Sequence, residues 1–239
     1  MSRRREVARV VAGHVLLLLI SPCLLLAALL AAAIARAACD RLVDLWTRLA
    51  LALLRVDVDV DDRGLAGAGP RPHVYVLLNQ TSLIESLVIP RLVPPCTGFA
   101  NIEFLLLPLV GWVTWARGAV VVIRQWPRSR RSALARAMQR LARGESIYIS
   151  IEGRRSPTGA LLPYRRGAVA LARSRPAAIV PVYVHGALSV LPRGRLWARP
   201  GRVRVVALPA IAADEVAATE EATLLARLRA MAEAERARS

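Results

Sequence analysis

Five short apolar runs, rich in β-branched residues, recur along the chain and limit the class of fold it can adopt. They cover residues 74–78, 119–123, 147–151, 179–184 and 203–206. A sixth segment, residues 56–60 (Val-Asp-Val-Asp-Val), alternates with period two, and helical patterns at 129–142, at 166–173 and from Asp214 onward lie between some of the runs. Apolar strands that alternate with helices are typical of a parallel sheet covered on both faces. We therefore predict an α/β fold over residues 55–239, with a mixed, largely parallel sheet flanked by helices.

The N-terminal segment has a different composition. Arg3, Arg4 and Arg5 precede residues 10–35, which carry no charge, and about 20 apolar residues suffice to cross the hydrocarbon core of a bilayer. Because Pro22 lies near the middle, we expect one kinked span or a shallow hairpin of two short helices. A cleaved signal peptide is the competing interpretation, since residues 35–37 (Ala-Arg-Ala) resemble a cleavage site, but the run is longer than the ~7–15 residues typical of such peptides.

An amphipathic helix is predicted over residues 39–54, and such a helix can lie along a bilayer surface. We therefore predict a membrane-associated helical segment over residues 1–54. The arginines before the apolar run place the N-terminus on the cytoplasmic side of the inner membrane.

The charge balance favours an anionic partner. The chain has 34 basic and 17 acidic residues, a net charge of +17, and every basic residue is arginine, which excludes chemistry that needs a lysine. Lipid headgroups fit this charge. Aromatic residues make up only 5% and no basic stacking motif occurs, so nucleic acid is not a predicted partner. The three cysteines are scattered without metal-ligand spacing, and we predict no metal.

Polar residues follow several of the apolar runs directly. They are residues 79–85, Arg124, residues 152–156 and His185. The carboxyl ends of parallel strands meet at one edge of a sheet, where ligands bind. Because a guanidinium matches phosphate oxygens bidentately, this edge is predicted to bind a phosphorylated or otherwise anionic substrate.

The order of these motifs resembles the glycerolipid acyltransferase family, whose best-known members are 1-acylglycerol-3-phosphate acyltransferases. Residues 79–85 (Asn-Gln-Thr-Ser-Leu-Ile-Glu) are similar to its Asn-His-x-Ser-x-x-Asp block. The family's remaining blocks are matched by residues 101–104 with 108–112, 118–124, 151–156, 163–167 and 179–182. The resemblance covers residues 55–210. It implies acyl transfer from acyl-CoA or acyl carrier protein to a lysophospholipid hydroxyl, most directly lysophosphatidate, without a metal or prosthetic group.

The resemblance also implies the site residues. Gln80 and Glu85 stand at the positions of the family's catalytic pair. The implied substrate-binding residues are Asn79, Ser82, Arg124, Glu152, Gly153, Arg154 and Arg155.

Gln80 departs from the family's histidine, which takes the proton from the acceptor hydroxyl. A glutamine amide has no useful basicity and cannot act as a general base. Three alternatives follow. In the first, Glu85 is the base and Gln80 positions the hydroxyl. In the second, another histidine is the base, and His185 is better placed than His73, which begins a strand; in the third, the protein binds lysophospholipid without turnover. In each case altered or reduced catalytic competence is expected.

Overall fold

The computed structural model describes residues 3–93, 96–106, 109–175, 177–195 and 197–238, without the side chains of Arg3 and Arg4. Pro108, in one of the family-like blocks, lies outside these ranges. The strands are β1 (Val56–Asp61), β2 (His73–Leu77), β3 (Thr97–Asn101), β4 (Val120–Val122), β5 (Ile147–Ser150), β6 (Ala178–His185) and β7 (Gly201–Ala207). The helices are α1 (Arg3–Ile34), α2 (Arg36–Leu53), α3 (Glu85–Val88), α4 (Ile102–Leu105), α5 (Val110–Ala116), α6 (Pro127–Ala142), α7 (Gly167–Ser174), α8 (Ala187–Val190), α9 (Ala213–Ala218) and α10 (Glu221–Arg236).

The described strands form one seven-stranded sheet in the order β1-β7-β6-β2-β5-β3-β4. Strands β6, β2, β5, β3 and β4 are parallel to one another, β7 is antiparallel to β6, and β1 is parallel to β7. The predicted mixed, largely parallel sheet flanked by helices is therefore confirmed.

The sheet is buried on both faces because its central strands carry apolar side chains in both directions. All five residues of β2 are buried. Val74 and Val76 face the layer formed by α6, α7, α9 and α10, whereas Tyr75 and Leu77 face the opposite layer, to which α1, α2, α3 and α8 contribute. Burial of a Val or Leu side chain contributes about 1.5–3 kcal/mol, so this core accounts for much of the fold's stability.

Helix α1 continues through Pro22 instead of breaking there, so the hairpin of two short helices within the apolar run is wrong. Ser21 Oγ donates to the Leu17 carbonyl (2.6 Å) and accepts from Trp46 Nε1 of α2 (2.8 Å). Packing against α2 supplies the stability that the missing proline N–H removes. The chain reverses at Ala35, and α1 is long and apolar enough to cross a membrane by length and composition.

Other elements also differ from the prediction, among them the short helices α4, α5 and α8, which no pattern indicated. Strand β3 was not predicted because Thr-Gly-Phe-Ala-Asn is not an apolar β-branched run. The C-terminal helix is two helices, α9 and α10, separated at residues 219–220. Helix α2 begins at Arg36, earlier than the amphipathic pattern indicated.

Candidate active site

The residues expected to share one edge of the sheet do follow its parallel strands. Asn79 and Gln80 leave β2, Glu152 leaves the neighbouring β5, and Arg124 leaves β4. Strand β4 is three positions from β2, which at ~4.8 Å per strand is roughly 14 Å. We call this side of the sheet the carboxyl edge, and the side at which His73, Thr97 and Ile147 begin their strands the amino edge.

The side chain of Asn79 extends the hydrogen-bond ladder between β2 and β6. Its Nδ2 donates to the Val184 carbonyl (2.8 Å) and its Oδ1 accepts from the Val184 N–H (2.9 Å). The residue is buried, and both of its polar atoms are used by backbone. Asn79 therefore fixes the direction in which the chain leaves β2.

Glu152 joins the loops that follow β2 and β5. Its Oε2 accepts from the Gln80 N–H (3.0 Å) and its Oε1 from the Leu162 N–H (2.7 Å), while the Gln80 carbonyl accepts from Ser156 N–H (2.6 Å). Burial raises the pKa of the Glu152 carboxyl, and these two N–H donors oppose the shift. Glu152 thus positions the backbone of Gln80.

Ser82 and Glu85 form a reciprocal arrangement that resembles a helix capping box at the turn into α3. Ser82 Oγ accepts from the Ile84 N–H (3.1 Å) and donates to the Leu191 carbonyl (2.6 Å). Glu85 Oε1 accepts from Ser82 N–H (3.0 Å), from Thr81 N–H (2.7 Å) and from Thr81 Oγ1 (2.8 Å). One carboxylate oxygen of Glu85 is therefore committed to shaping this turn.

The second carboxylate oxygen of Glu85, Oε2, has no hydrogen-bond partner. Glu85 Oε2 and Gln80 Oε1 are both buried and have no hydrogen-bond partner. Glu85 itself is 3% exposed, and burial raises its pKa to about 7 although the three donors on Oε1 oppose the shift. A buried acceptor without a partner is costly. The segment that leaves β2 thus holds two buried acceptor atoms without partners.

Arg124, which follows β4, is influenced by two other arginines. Desolvation lowers the pKa of the Arg124 guanidinium; the nearby Glu103 carboxylate opposes this shift, and Arg155 and Arg165 add to it. Arg154 is exposed and acts electrostatically on Glu152. Arg155 and Arg165 thus act electrostatically on Arg124.

Arg165 was not among the predicted site residues, although its basic block had been singled out. Its Nε donates to the Glu152 carbonyl (3.2 Å), and its backbone N–H donates to Ile151 O (2.9 Å). Gly153 has φ +67°, and a Cβ there would lie 3.2 Å from Arg165 Cδ. A glycine therefore lets the Arg165 side chain lie across the turn after β5.

The histidines lie apart from this group or are already engaged. His185 Nε2 is 2.9 Å from Glu235 Oε1 of α10, and its ring packs against Tyr183. His73 begins β2 at the amino edge and contacts Gly69 O and Tyr75 OH. Within the described ranges, no group of three His, Cys, Asp or Glu side chains could hold a metal ion.

Comparison with known proteins finds an acyltransferase domain and several acyltransferase relatives. Residues 71–185 match the family model described as Acyltransferase. A chloroplastic 1-acyl-sn-glycerol-3-phosphate acyltransferase of Arabidopsis thaliana is 30% identical over 136 residues, which are 56% of this chain and 38% of the relative. The 1-acyl-sn-glycerol-3-phosphate acyltransferase of Pseudomonas aeruginosa is 29% identical over 173 residues, 71% of this chain and 66% of the relative. The chain thus spans less than half the length of the plant relative.

The fold has a counterpart among solved structures. The crystal structure of the 1-acyl-sn-glycerophosphate acyltransferase PlsC from Thermotoga maritima superposes with a TM-score of 0.79 at 19% identity, covering 98% of this chain and 96% of that one. The order of the motifs along the sheet edge agrees with the family match, and residues 71–185 of this chain are similar to an Acyltransferase domain.

Proposed function

We propose that this protein transfers an acyl group from a thioester to the hydroxyl of lysophosphatidate, forming phosphatidate. The observation that carries the proposal is the pair of buried, unpartnered acceptors, Gln80 Oε1 and Glu85 Oε2, in the segment that resembles the family's catalytic block. The relatives named above are 1-acyl-sn-glycerol-3-phosphate acyltransferases, which supports the choice of acceptor.

In the proposed reaction Glu85 is the general base. A carboxyl with a pKa of about 7 is partly ionised at neutral pH and is a stronger base than a solvated glutamate. The hydroxyl gives its proton to Oε2 while its oxygen attacks the thioester carbonyl carbon. The tetrahedral intermediate then collapses, the C–S bond breaks, and the thiolate leaves with the proton from Glu85. The Gln80 amide, a donor and an acceptor, orients the hydroxyl.

Arginine side chains are proposed to hold the acceptor's phosphate. Arg155 and Arg165 act electrostatically on Arg124, and the Glu103 carboxylate acts on it in the opposite direction. Exposed Arg154 adds positive charge beside Glu152. Each guanidinium can donate two parallel hydrogen bonds to phosphate oxygens, so the group favours lysophosphatidate over an uncharged monoacylglycerol.

The test measures acyl transfer from labelled acyl-CoA and from acylated acyl carrier protein, which also distinguishes the two donors. We expect slow but measurable turnover, and a loss of ~10²–10⁴-fold in Glu85→Gln, which keeps an acceptor for the Thr81 and Ser82 N–H groups. Gln80→His is expected to raise the rate. Lysophosphatidate binding with wild-type turnover no higher than that of Glu85→Gln would instead favour the second candidate, a non-catalytic lysophospholipid-binding protein, which the absence of a histidine at position 80 motivates.

Residues 1–54 are proposed to hold the catalytic unit on a membrane, at the cytoplasmic face. Helix α1 has a mean hydropathy of 2.8 over its candidate span, of which 11% is buried. Its large exposed side chains include Leu18, Leu19, Leu30 and Ile34. Sedimentation of the full chain with membranes, and protease access to a C-terminal tag in inside-out vesicles, test the association and the face.

A further inference from the structure

A polar cavity of about 200 Å³ opens at the amino edge of the sheet, on the opposite side from the candidate active site. Arg36 and Asp40 of α2, Arg71 before β2, and Arg117 after α5 line one part of it. The segments that lead into β3 and β5 line the rest. None of the residues assigned to the acyltransferase site lies in this lining.

The carboxylates in the cavity are already paired. Asp40 Oδ1 accepts from Arg117 Nε (2.7 Å). Glu145 Oε2 lies 3.5 Å from Arg140 Nη1 and accepts from Thr97 Oγ1 (3.0 Å). The carboxylates at this cavity are thus each opposed by an arginine of their own.

Two further guanidinium groups have no carboxylate partner among the described residues. Arg36 Nη2 donates to the Arg117 carbonyl (2.5 Å), and Arg71 has no carboxylate within 4.0 Å. Arg36 and Arg140 also converge over Gly118, where a Cβ would lie 2.8 Å from Arg140 Nη1 and 3.2 Å from Arg36 Nη2. Cations held this close, with fewer carboxylates than guanidiniums around them, attract an anion.

Two exposed apolar side chains are close in sequence to arginines of the cavity lining. Ile34, two residues before Arg36, is 88% exposed, and Trp115, two residues before Arg117, is 63% exposed. Tryptophan is enriched where a protein meets the membrane–water interface. An arginine two residues from such a side chain lies within reach of lipid phosphates when the apolar side chain enters the bilayer.

We propose that this cavity binds the phosphate of an anionic phospholipid, with Arg36 and Arg71 as its principal ligands, at a site separate from acyl transfer. The unpaired guanidiniums supply the charge and their planar forks supply the geometry. Free inorganic phosphate has the same chemistry, but it gains nothing from the neighbouring Ile34 and Trp115. The proposal does not depend on turnover at Gln80 and Glu85.

The first experiment measures binding of the full chain to phosphatidylcholine vesicles with and without phosphatidate. The double variant Arg36→Gln/Arg71→Gln is expected to bind the phosphatidate vesicles roughly tenfold more weakly, whereas binding to phosphatidylcholine alone is unchanged. Arg36→Lys/Arg71→Lys keeps the positive charge but loses the planar guanidinium groups. We expect this variant to bind phosphatidate vesicles much more weakly than wild type does. Arg173→Gln/Arg175→Gln, two exposed arginines at the end of α7, matches the loss of charge and is expected to bind as wild type does.

Full binding by the lysine variant, or an equal loss in the Arg173/Arg175 control, would show unspecific charge attraction and overturn the proposal. Inorganic phosphate binding that these variants abolish, with vesicle binding unaltered, would overturn the lipid assignment. A second measurement avoids mutation: phosphatidate with a photoreactive headgroup is expected to label wild-type peptides that contain Arg36 or Arg71. Labelling confined to residues 79–85 and 124–155 would also reject the cavity, whether or not the protein transfers acyl groups.

Discussion

The two edges of the same sheet use polar residues in opposite ways. At the carboxyl edge, Asn79 and Glu152 are buried and their side chains form hydrogen bonds with backbone groups. At the amino edge, Glu145 and Arg140 make a partly exposed ion pair beside a cavity, and Arg71 has no carboxylate partner among the described residues. The family motifs occur at the first edge, and the open, charged space occurs at the second.

The carboxyl edge is held rigid by buried hydrogen bonds, whereas the amino edge offers charged groups that can bind a ligand. Buried side chains that accept backbone N–H groups hold their loops in one conformation, which catalytic geometry requires. Among the described residues at the carboxyl edge, the buried polar atoms without partners include Gln80 Oε1 and Glu85 Oε2, and also Asn101 Oδ1 and Ser156 Oγ. Guanidiniums without a carboxylate partner retain donors that can bind an anionic group of a ligand. Comparable changes at the two edges should therefore have unequal effects.

The largest expected effect comes from removing the Glu152 carboxylate. Glu152→Ala leaves the buried N–H groups of Gln80 and Leu162 without acceptors, at about 1–3 kcal/mol each. Glu145→Ala at the amino edge removes a partly exposed pair, for which we expect less than about 1 kcal/mol. Urea unfolding of both variants measures the two losses. Equal losses would contradict the contrast between the edges.

The second prediction concerns the pH dependence of stability at Glu85. Its pKa in the folded protein, about 7, is above the ordinary value of 4.5. Between these values the folded state holds a proton that the unfolded state has released, so the free energy of unfolding decreases as pH rises, by roughly 1.4 kcal/mol per pH unit. Glu85→Gln lacks this dependence. We therefore expect the free energy of unfolding of Glu85→Gln to increase relative to that of wild type as the pH rises from 5 to 8. Urea unfolding of both proteins over this range measures the difference.

Parallel stability curves for wild type and Glu85→Gln across that range would show that the carboxyl titrates normally. Glu85→Gln keeps an acceptor for the Thr81 and Ser82 N–H groups, so the comparison removes the titrating carboxyl without removing these hydrogen bonds.

Much of the fold was predictable because the strands of a buried sheet have a strong local pattern. The runs that became β2, β5 and β6 are apolar on both faces, and the sheet order then brings residues 79–85, 124 and 152–155 to one edge. Strand β3 has no such pattern. Its position depends on pairing with β4 and β5, which only the folded chain supplies.

The sequence predicted which residues belong to the candidate site but not which hydrogen bonds they form. It indicated Ser82, Glu85 and Glu152 as site residues. It did not indicate that Ser82 and Glu85 cap a turn, or that Glu152 accepts a hydrogen bond from the Gln80 N–H. Arg165 was missed because arginine is common here, so one more basic residue carries little information. Its contact with the Glu152 carbonyl requires the turn after β5 to exist first.

The third prediction compares one glycine from each edge. Gly153 and Gly118 both have positive φ, +67° and +83°, so an alanine at either position should cost about 1–2 kcal/mol from the backbone alone. Gly153→Ala also displaces Arg165, because the new Cβ meets that side chain at 3.2 Å. We therefore expect Gly153→Ala to lower acyl transfer, and Gly118→Ala to affect binding to anionic vesicles instead.

Gly67→Ala is the control for this comparison, because nothing lies within 4 Å of the new Cβ and the φ of Gly67 is not positive. Its melting temperature and its activity should match those of wild type. Loss of acyl transfer in Gly118→Ala as large as in Gly153→Ala would mean that the two edges are not functionally separate.

The smallest expected effect is on the KM for the substrate, and it should differ between substitutions at two adjacent arginines, Arg165 and Arg166. Arg165 lies against Gly153 near Arg124, whereas Arg166 is 84% exposed and pairs with Glu221. Arg165→Gln should raise KM for lysophosphatidate several-fold, because a guanidinium near the substrate phosphate is lost, and should change KM for monoacylglycerol little. Arg166→Gln removes the same charge from a solvated ion pair and should leave both KM values unchanged. A similar rise in both variants would indicate that net charge, rather than a phosphate contact at the carboxyl edge, attracts the substrate.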